Sequence, residues 1–156
     1  MFQGSFEHSI DDKGRMAIPA PFRELLAEAE DQPDSTGDAA VIVTISDNEC
    51  LSAFTREQWD EKITALSKLN QLDKNVKAFK RIFVGKAQEC PLDKAGRILI
   101  PADLRRHGGF EKTCVVVGQI DKFEIWSEDR WNTSYNEMSD QVGSICESLA
   151  NLGISL

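Results

Sequence analysis

Two histidines, His8 and His107, and four cysteines, Cys50, Cys90, Cys114 and Cys146, are all that this 156-residue chain has for soft-metal or thiol chemistry. The cysteines stand 40, 24 and 32 residues apart, so no Cys-x-x-Cys pair exists to chelate zinc or shuttle electrons. Neither histidine has a second histidine or a cysteine at ligand spacing, and no metal or other cofactor is expected. The cysteines read as reduced and mostly buried. Long apolar runs are missing as well: nothing approaches the roughly 18 residues that would cross a bilayer. The opening Met1-Phe2-Gln3-Gly4 carries no basic segment ahead of an apolar one, and a cytoplasmic address is expected. Excess positive charge is also absent. The net charge of −8 repels a phosphate backbone at long range, which argues against a general nucleic-acid binder.

That average conceals an asymmetry. Residues 1–73 hold 6 basic and 15 acidic side chains, residues 74–106 hold 9 and 3, and residues 107–156 hold 3 and 8. A solvated helix face accounts for such a basic stretch as well as a binding site does, so charge alone decides nothing.

What the chain does contain is a duplication. Asp11 to Arg23 aligns without gaps to Asp93 to Arg105, and seven of the thirteen positions are identical: Asp11/Asp93, Gly14/Gly96, Arg15/Arg97, Ile18/Ile100, Pro19/Pro101, Ala20/Ala102 and Arg23/Arg105. A second block repeats at an offset of 72 rather than 82, with Val41 to Ile45 resembling Thr113 to Val117 and Phe54 to Trp59 resembling Trp126 to Trp131. The missing ten residues fall in the polar stretch from Glu28 to Asp38, which reads as an exposed loop insertion.

Each copy can be read coarsely. Phe6, His8 and Ile10 alternate with polar residues, Asp-x-x-Gly follows, and Met16 and Ile18 alternate again, the pattern of a β-hairpin. Gly14 and Gly96 supply a positive φ, while Asp11 and Asp93 bond to backbone N–H groups ahead of them. Pro19 or Pro21, and Pro101, open a short helix ending near Leu26 or His107. An apolar strand and a partner strand come next, and then a helix with Thr55 or Ser127 as N-cap. Phe54 with Trp59, and Trp126 with Trp131, form hydrophobic staples, and Gln58 completes a capping box with Thr55. Trp59, Ile63, Leu66 and Leu69, then Val76, Phe79, Ile82 and Phe83, give helical stripes, as do Met138, Val142, Ile145, Leu149 and Leu152 in the tail. The tail stripe is expected to pack on its own sheet or, slightly favoured, on a neighbouring subunit.

Met-Phe-x-Gly at the start, His8-Ser9-Ile10-Asp11-x-Lys13-Gly14-Arg15, Asp93-x-x-Gly96-Arg97-Ile98-Leu99-Ile100-Pro101 and Glu124-Ile125-Trp126 followed by Trp131 together resemble the MraZ family, within the wider SpoVT/AbrB-like group. The resemblance covers nearly the whole chain. It implies a mainly β fold with helices (α+β): a pseudo-twofold, swapped-hairpin AbrB-like β-barrel from two tandem repeats, with a helical linker and a C-terminal helix. The corresponding segments are 5–54 (repeat 1), 55–82 (linker), 83–126 (repeat 2) and 127–156 (C-terminal helix). It further implies a ring-like homo-oligomer, nucleoid association, and regulation of transcription through repeated promoter sites upstream of a division and cell-wall gene cluster that includes the protein's own gene. Two features depart from the family pattern: the longer loop at 33–38, and Ala95 standing where the first repeat has Lys13.

Strand alternation predicts that Arg15 and Arg97 face outward when Met16 and Ile18 face the core. A guanidinium held at a rigid loop reaches phosphates or binds guanine O6 and N7 bidentately. Lys13, Arg15, Lys94 and Arg97 are therefore assigned to contact with double-stranded DNA, with Asp11, Gly14, Asp93 and Gly96 as turn-supporting residues and Lys13 placing the first turn ahead of the second. The simpler reading of each arginine is a pair with its own aspartate across the turn. Arg81, Lys77, Lys80, Lys86, Arg105 and Arg106 are weaker candidates. Catalysis would require Asp11 and Asp93 to converge as a shared-proton pair, a poor fit to their cationic neighbours, and no catalytic residue or small-molecule substrate is assigned. An antitoxin-like or other protein-interaction module, touching DNA only secondarily, is the alternative.

Overall fold

The computed structural model describes residues 1–30, 38–47 and 49–155. Among these residues, eight strands and six helices follow the duplicated order. The first repeat supplies β1 (Ser5–Ser9), β2 (Arg15–Ala17), α1 (Ala20–Glu30), β3 (Ala40–Ile45) and β4 (Leu51–Phe54), followed by α2 (Arg56–Ser67) and α3 (Lys74–Phe79), which ends in a π-helical turn, Lys80–Val84. The second supplies β5 (Gln88–Pro91), β6 (Arg97–Leu99), α4 (Ala102–Gly108), β7 (Thr113–Gly118) and β8 (Phe123–Ser127), then α5 (Glu128–Ser139) and α6 (Val142–Asn151).

The strands form a six-stranded sheet, β1-β7-β8-β4-β3-β5, and a two-stranded ribbon, β2-β6. Exchanging the repeats (β1 with β5, β3 with β7, β4 with β8) turns the sheet order into its own reverse, and the ribbon maps onto itself. A pseudo-twofold axis therefore passes between Ser52 and Glu124 in the sheet and between Met16 and Ile98 in the ribbon, each a paired position. The result is a mixed α+β fold in which each repeat completes the other.

This corrects the local hairpin expected between Phe6–Ile10 and Met16–Ile18. β1 pairs with β7, from Ser5↔Val117 to Ser9↔Thr113, and β2 pairs with β6. A single bridge, Ile10↔Met16, joins the two limbs of the loop. Period-2 alternation reports that one face of a strand is buried; it carries no information about which strand lies alongside.

The central strands β3 and β4 are buried on both faces, which is why they read as near-continuous apolar runs. Val41, Val43, Leu51 and Ala53 face an inner core shared with Met16, Ile18, Ile98 and Ile100 of the ribbon and with Phe22, Leu26 and Leu104 of α1 and α4. Phe22 sits within a cluster of edge-on and tilted rings, its centroid 5.1 Å from Phe2, 5.3 Å from Phe6 and 5.2 Å from Phe123. The outer face carries the helices: Phe54 meets Trp59 and Phe83, and Trp126 meets Trp131. Both staples and the Thr55–Gln58 capping box are present, and Ser127 caps α5 by accepting from Arg130 N–H.

Three differences from the sequence reading have local causes. α1 runs on to Glu30 instead of ending near Leu26, because Ala27-Glu28-Ala29-Glu30 are all good helix formers; the rest of the proposed loop insertion, 31–37, lies outside the described residues. Pro101 sits at the N-cap of α4, not inside its first turn, and Pro19 likewise precedes α1 and accepts the first helical bonds, from Phe22 and Arg23 N–H. The C-terminal segment is two helices, broken at Asp140-Gln141 between the low-propensity residues Asn136, Ser139 and Gly143.

Cys50, Cys90 and Cys114 are buried free thiols, and only Cys146 is exposed. Burial pushes Cys90 up to about 11 and Cys114 up to about 12, and Cys50 further still. These thiols remain protonated and act as small apolar side chains. No helix among the described residues is long and apolar enough to cross a membrane.

Because the inner core draws on both repeats, it should unfold as one unit. Phe22→Ala is expected to lower stability by about 3 to 5 kcal/mol. Urea titration followed by amide exchange should show β3 and β7 losing protection at a common midpoint; loss in one repeat ahead of the other would contradict the interleaving.

Candidate nucleic-acid interface

The two Asp-x-x-Gly-Arg loops fold alike, bond for bond. Asp11 Oδ1 accepts from the backbone N–H of Lys13 at 3.0 Å and of Arg15 at 2.9 Å, and Asp11 Oδ2 accepts from Arg15 Nε at 3.0 Å. In the second loop, Asp93 Oδ1 accepts from Ala95 and Arg97 N–H at 2.9 Å each, and Asp93 Oδ2 from Arg97 Nε at 3.1 Å. Main-chain bonds close each loop, Asp11 N–H to Arg15 O and Gly14 N–H to Asp11 O in the first, with the equivalent pair in the second. Gly14 and Gly96 take φ of +92° and +74°, the left-handed region where a side chain is strained.

The carboxylate is the keystone of each loop. The bond from the Arg15 backbone, then the one from its side chain, hold the Asp11 carboxyl below its ordinary value, and Arg97 does the same for Asp93. A shared-proton pair needs one carboxyl pushed up. Both here are pushed down, and each is engaged within its own loop, so the arrangement is not the catalytic dyad considered from the sequence.

The ribbon decides how the two loops relate. In its register Arg15 lies opposite Leu99 and Arg97 opposite Ala17, so Arg15, Ala17, Arg97 and Leu99 share the outer face while Met16 and Ile98 are sealed beneath. Alternation thus exposes both arginines, with side chains 39% and 43% accessible. They stand diagonally across the ribbon, with Cα atoms about 8 Å apart from one strand spacing across and two residues along. Each guanidinium spends its Nε on aspartate. The outer Nη edge has no protein partner among the described residues, so the pairing with Asp and an outward-facing donor edge coexist.

Lys13 and Lys94 are exposed in these loops, again without side-chain partners among the described residues. Lys13 does not make the first turn the more positive one: Asp12, also exposed, offsets it, whereas Lys94 has the neutral Ala95 beside it. The basic stretch at 74–106 is divided: Lys94, Arg97 and Arg105 belong to the ribbon and its loops, and its first part lies elsewhere. Phe83, in the π-helical turn after α3, packs on Phe54, and its carbonyl accepts from the Thr44 hydroxyl. Phe54 and Thr44 point away from the inner core, so α3 with Lys74 and Lys77, and the π-helical turn with Lys80 and Arg81, lie on the opposite face of the sheet from the ribbon. Lys86 bonds to Asp103 at 3.1 Å.

Two arginines that the duplication pairs reach into these loops: Arg105, which the sequence offers only as a weaker candidate, and Arg23, to which it assigns no role. Arg105 Nη1 donates to the Asp12 carbonyl at 3.1 Å, and Arg23 Nη1 to the Ala95 carbonyl at 3.4 Å. Each reaches across to the loop of the other repeat. The available signal was their identity in the duplicated block.

The family model described as "MraZ protein, putative antitoxin-like" matches residues 1–82 and again 83–144. Proteins named Transcriptional regulator MraZ are similar over their full lengths. That of Ligilactobacillus salivarius (strain UCC118) is 42% identical over 154 residues, covering 99% of this chain and 100% of the relative. That of Lactiplantibacillus plantarum (strain ATCC BAA-793 / NCIMB 8826 / WCFS1) is 38% identical over 149 residues, covering 96% and 98%. That of Acetivibrio thermocellus is 38% identical over 154 residues, covering 99% and 100%.

A carboxyl whose folded value lies below its unfolded one stabilises the fold above the unfolded value, 3.8 for Asp11 and Asp93, and loses that contribution as pH falls through the folded value. Amide protection factors at Lys13, Arg15, Ala95 and Arg97 should accordingly stay level from about pH 8 down to about pH 5 and collapse only below about pH 4. Asp11→Ala should remove the protection of Lys13 and Arg15 at every pH. A titration of these amides near neutrality would refute the carboxylate lock.

Proposed function

The chain belongs to the MraZ family, and on that premise we propose that it is a DNA-binding transcriptional regulator whose contact surface is the outer face of the β2-β6 ribbon with its two flanking loops. One observation carries this reading: two guanidinium groups, each clamped through Nε by its own aspartate, project from one face of a two-stranded ribbon. A ribbon of this width enters a major groove about 12 Å across. The clamped Nε leaves the Nη edge to form the parallel pair of bonds that guanine O6 and N7 accept. Lys13 and Lys94, at the ends of the ribbon, are placed for phosphates, and Asp11, Gly14, Asp93 and Gly96 hold the frame.

The Asp–Arg pairs carry no net charge and the chain as a whole is at −8, so a single protomer gains little from long-range attraction. Several copies presenting ribbons to repeated promoter sites would recover affinity through effective concentration. We therefore assign a ring-like homo-oligomer, acting in the cytoplasm on the nucleoid and autoregulating the division and cell-wall gene cluster through those repeats. The uncovered apolar stripe of the tail, with Val142 59% and Leu152 78% exposed, supports self-association. The same stripe is what an antitoxin-like, protein-binding role would use, and co-purification of a stoichiometric foreign partner would favour that second reading.

Footprinting on the DNA upstream of the protein's own gene should show protected repeats. Arg15→Ala and Arg97→Ala should each weaken binding about fivefold or more, as expected for loss of a bidentate base contact worth about 1 to 3 kcal/mol. Lys13→Ala and Lys94→Ala should instead weaken all sequences alike and reduce the salt slope by about 1 each. Isotherms unchanged by Arg15→Ala and Arg97→Ala together would remove the ribbon from the mechanism.

A further inference from the structure

Of the seven identities between the repeats, six have evident structural or binding roles: the aspartate locks the loop, the glycine takes the positive φ, the arginine after it points outward, the isoleucine enters the core, and the proline and alanine start the helix. The seventh, Arg23 in α1 and Arg105 in α4, has no such role within its own repeat. We infer that Arg23 and Arg105 are reciprocal positioning residues, each setting the DNA-contacting loop of the opposite repeat. The inference rests on the ribbon reading above and deepens it.

Several contacts converge on this exchange. Arg105 Nη1 bonds to the Asp12 carbonyl at 3.1 Å, one residue from the locked Asp11. Its stem and Nε lie flat over Gly14: a Cβ added to that glycine would stand 2.7 Å from Arg105 Cδ and 2.7 Å from Nε. Closer approach than this needs a glycine, so Gly14 serves the packing as well as the turn. In the second loop Arg23 lies over Gly96, and Arg23 Nη1 bonds to the Ala95 carbonyl at 3.4 Å, one residue further along the loop than the Asp12 carbonyl in the first. The same two glycines tie the loops to the opposite strand ends, with Ile100 N–H donating to Gly14 O at 2.9 Å and Ile18 N–H to Gly96 O at 3.0 Å. Arg105 Nε is shut away from solvent with no partner among the described residues, an unfavourable state held by the close fit of its stem on the glycine.

The consequence is a crossed dependence. Arg105 fixes the loop that aims Arg15, and Arg23 fixes the loop that aims Arg97, although by sequence each belongs to the other half. A residue acting only through another has no effect once that other is gone, which is what a double-mutant cycle reads.

The test uses the full chain and a fragment bearing the upstream repeats. Arg105→Gln is expected to lower the protection of the Lys13 and Arg15 amides while leaving Ala95 and Arg97 as they were, and to weaken DNA binding about threefold to tenfold, the worth of one hydrogen bond. That loss should vanish in an Arg15→Ala background and persist in full in an Arg97→Ala background. Arg23→Gln should give the mirror image. Equal losses in both backgrounds would make the two arginines independent phosphate contacts, and coupling within a repeat would reverse the assignment; either overturns the inference. Should Arg105→Gln fail to fold, Arg105→Lys, which keeps charge and stem but not the Nη1 donor, carries the same readouts. If the wild-type chain binds no upstream fragment, the ribbon reading fails while the amide-exchange arm still decides whether the loops are clasped across repeats.

Discussion

The ladder of β2 is made with β6 and that of β1 with β7, apart from the single bridge Ile10↔Met16. A buried N–H or C=O left unpaired is unfavourable by about 1 to 3 kcal/mol, so neither half of the chain can complete its own sheet. The exchange of strands between repeats is therefore obligatory, and the rest of the molecule follows from it. It places the two loops at opposite ends of one ribbon and brings both arginines to one face. It also puts the helix of each repeat over the loop of the other. The aromatic cluster around Phe22 and the central strands β3, β4, β7 and β8 then fill a core to which both repeats contribute.

That geometry changes how an acidic protein can address DNA. A surface that relied on steering would gather lysines and leave them free, since long-range attraction grows with unpaired charge. Here each guanidinium is half neutralised by its aspartate and held in place by it. The pair gives up attraction and gains orientation, which suits recognition of base edges more than of phosphates. The basic helix α3, with the turn that ends it, lies on the far face of the sheet, where Lys80 bonds to Gln71. Its charge does not contribute to the ribbon surface.

The same logic separates what was legible in the chain from what was not. Gly14 and Gly96, Asp11 and Asp93, the Thr55 capping box and the tryptophan staples are local devices, decided by atoms within five residues of one another, and each was readable from spacing. The outward aim of Arg15 and Arg97 followed from strand parity for the same reason. The extension of α1 to Glu30 and the break before α6 are also local, set by helix propensity, which marks a boundary only to within a residue or two. Arg23 and Arg105 were hidden differently: their identity across the duplication was visible, while their partners lie 72 and 93 residues away.

By itself, then, the sequence determined the duplication, the form of the loops, the strand faces and the family to which the chain belongs, because turns, caps and alternation are set by near neighbours. Only the tertiary structure decided which strand each segment joins, that the two arginines share one face, that the basic helix lies apart from them, and which arginine holds which loop. Those are matters of long-range pairing, and a periodic pattern fixes the face a residue presents without naming the residue it meets.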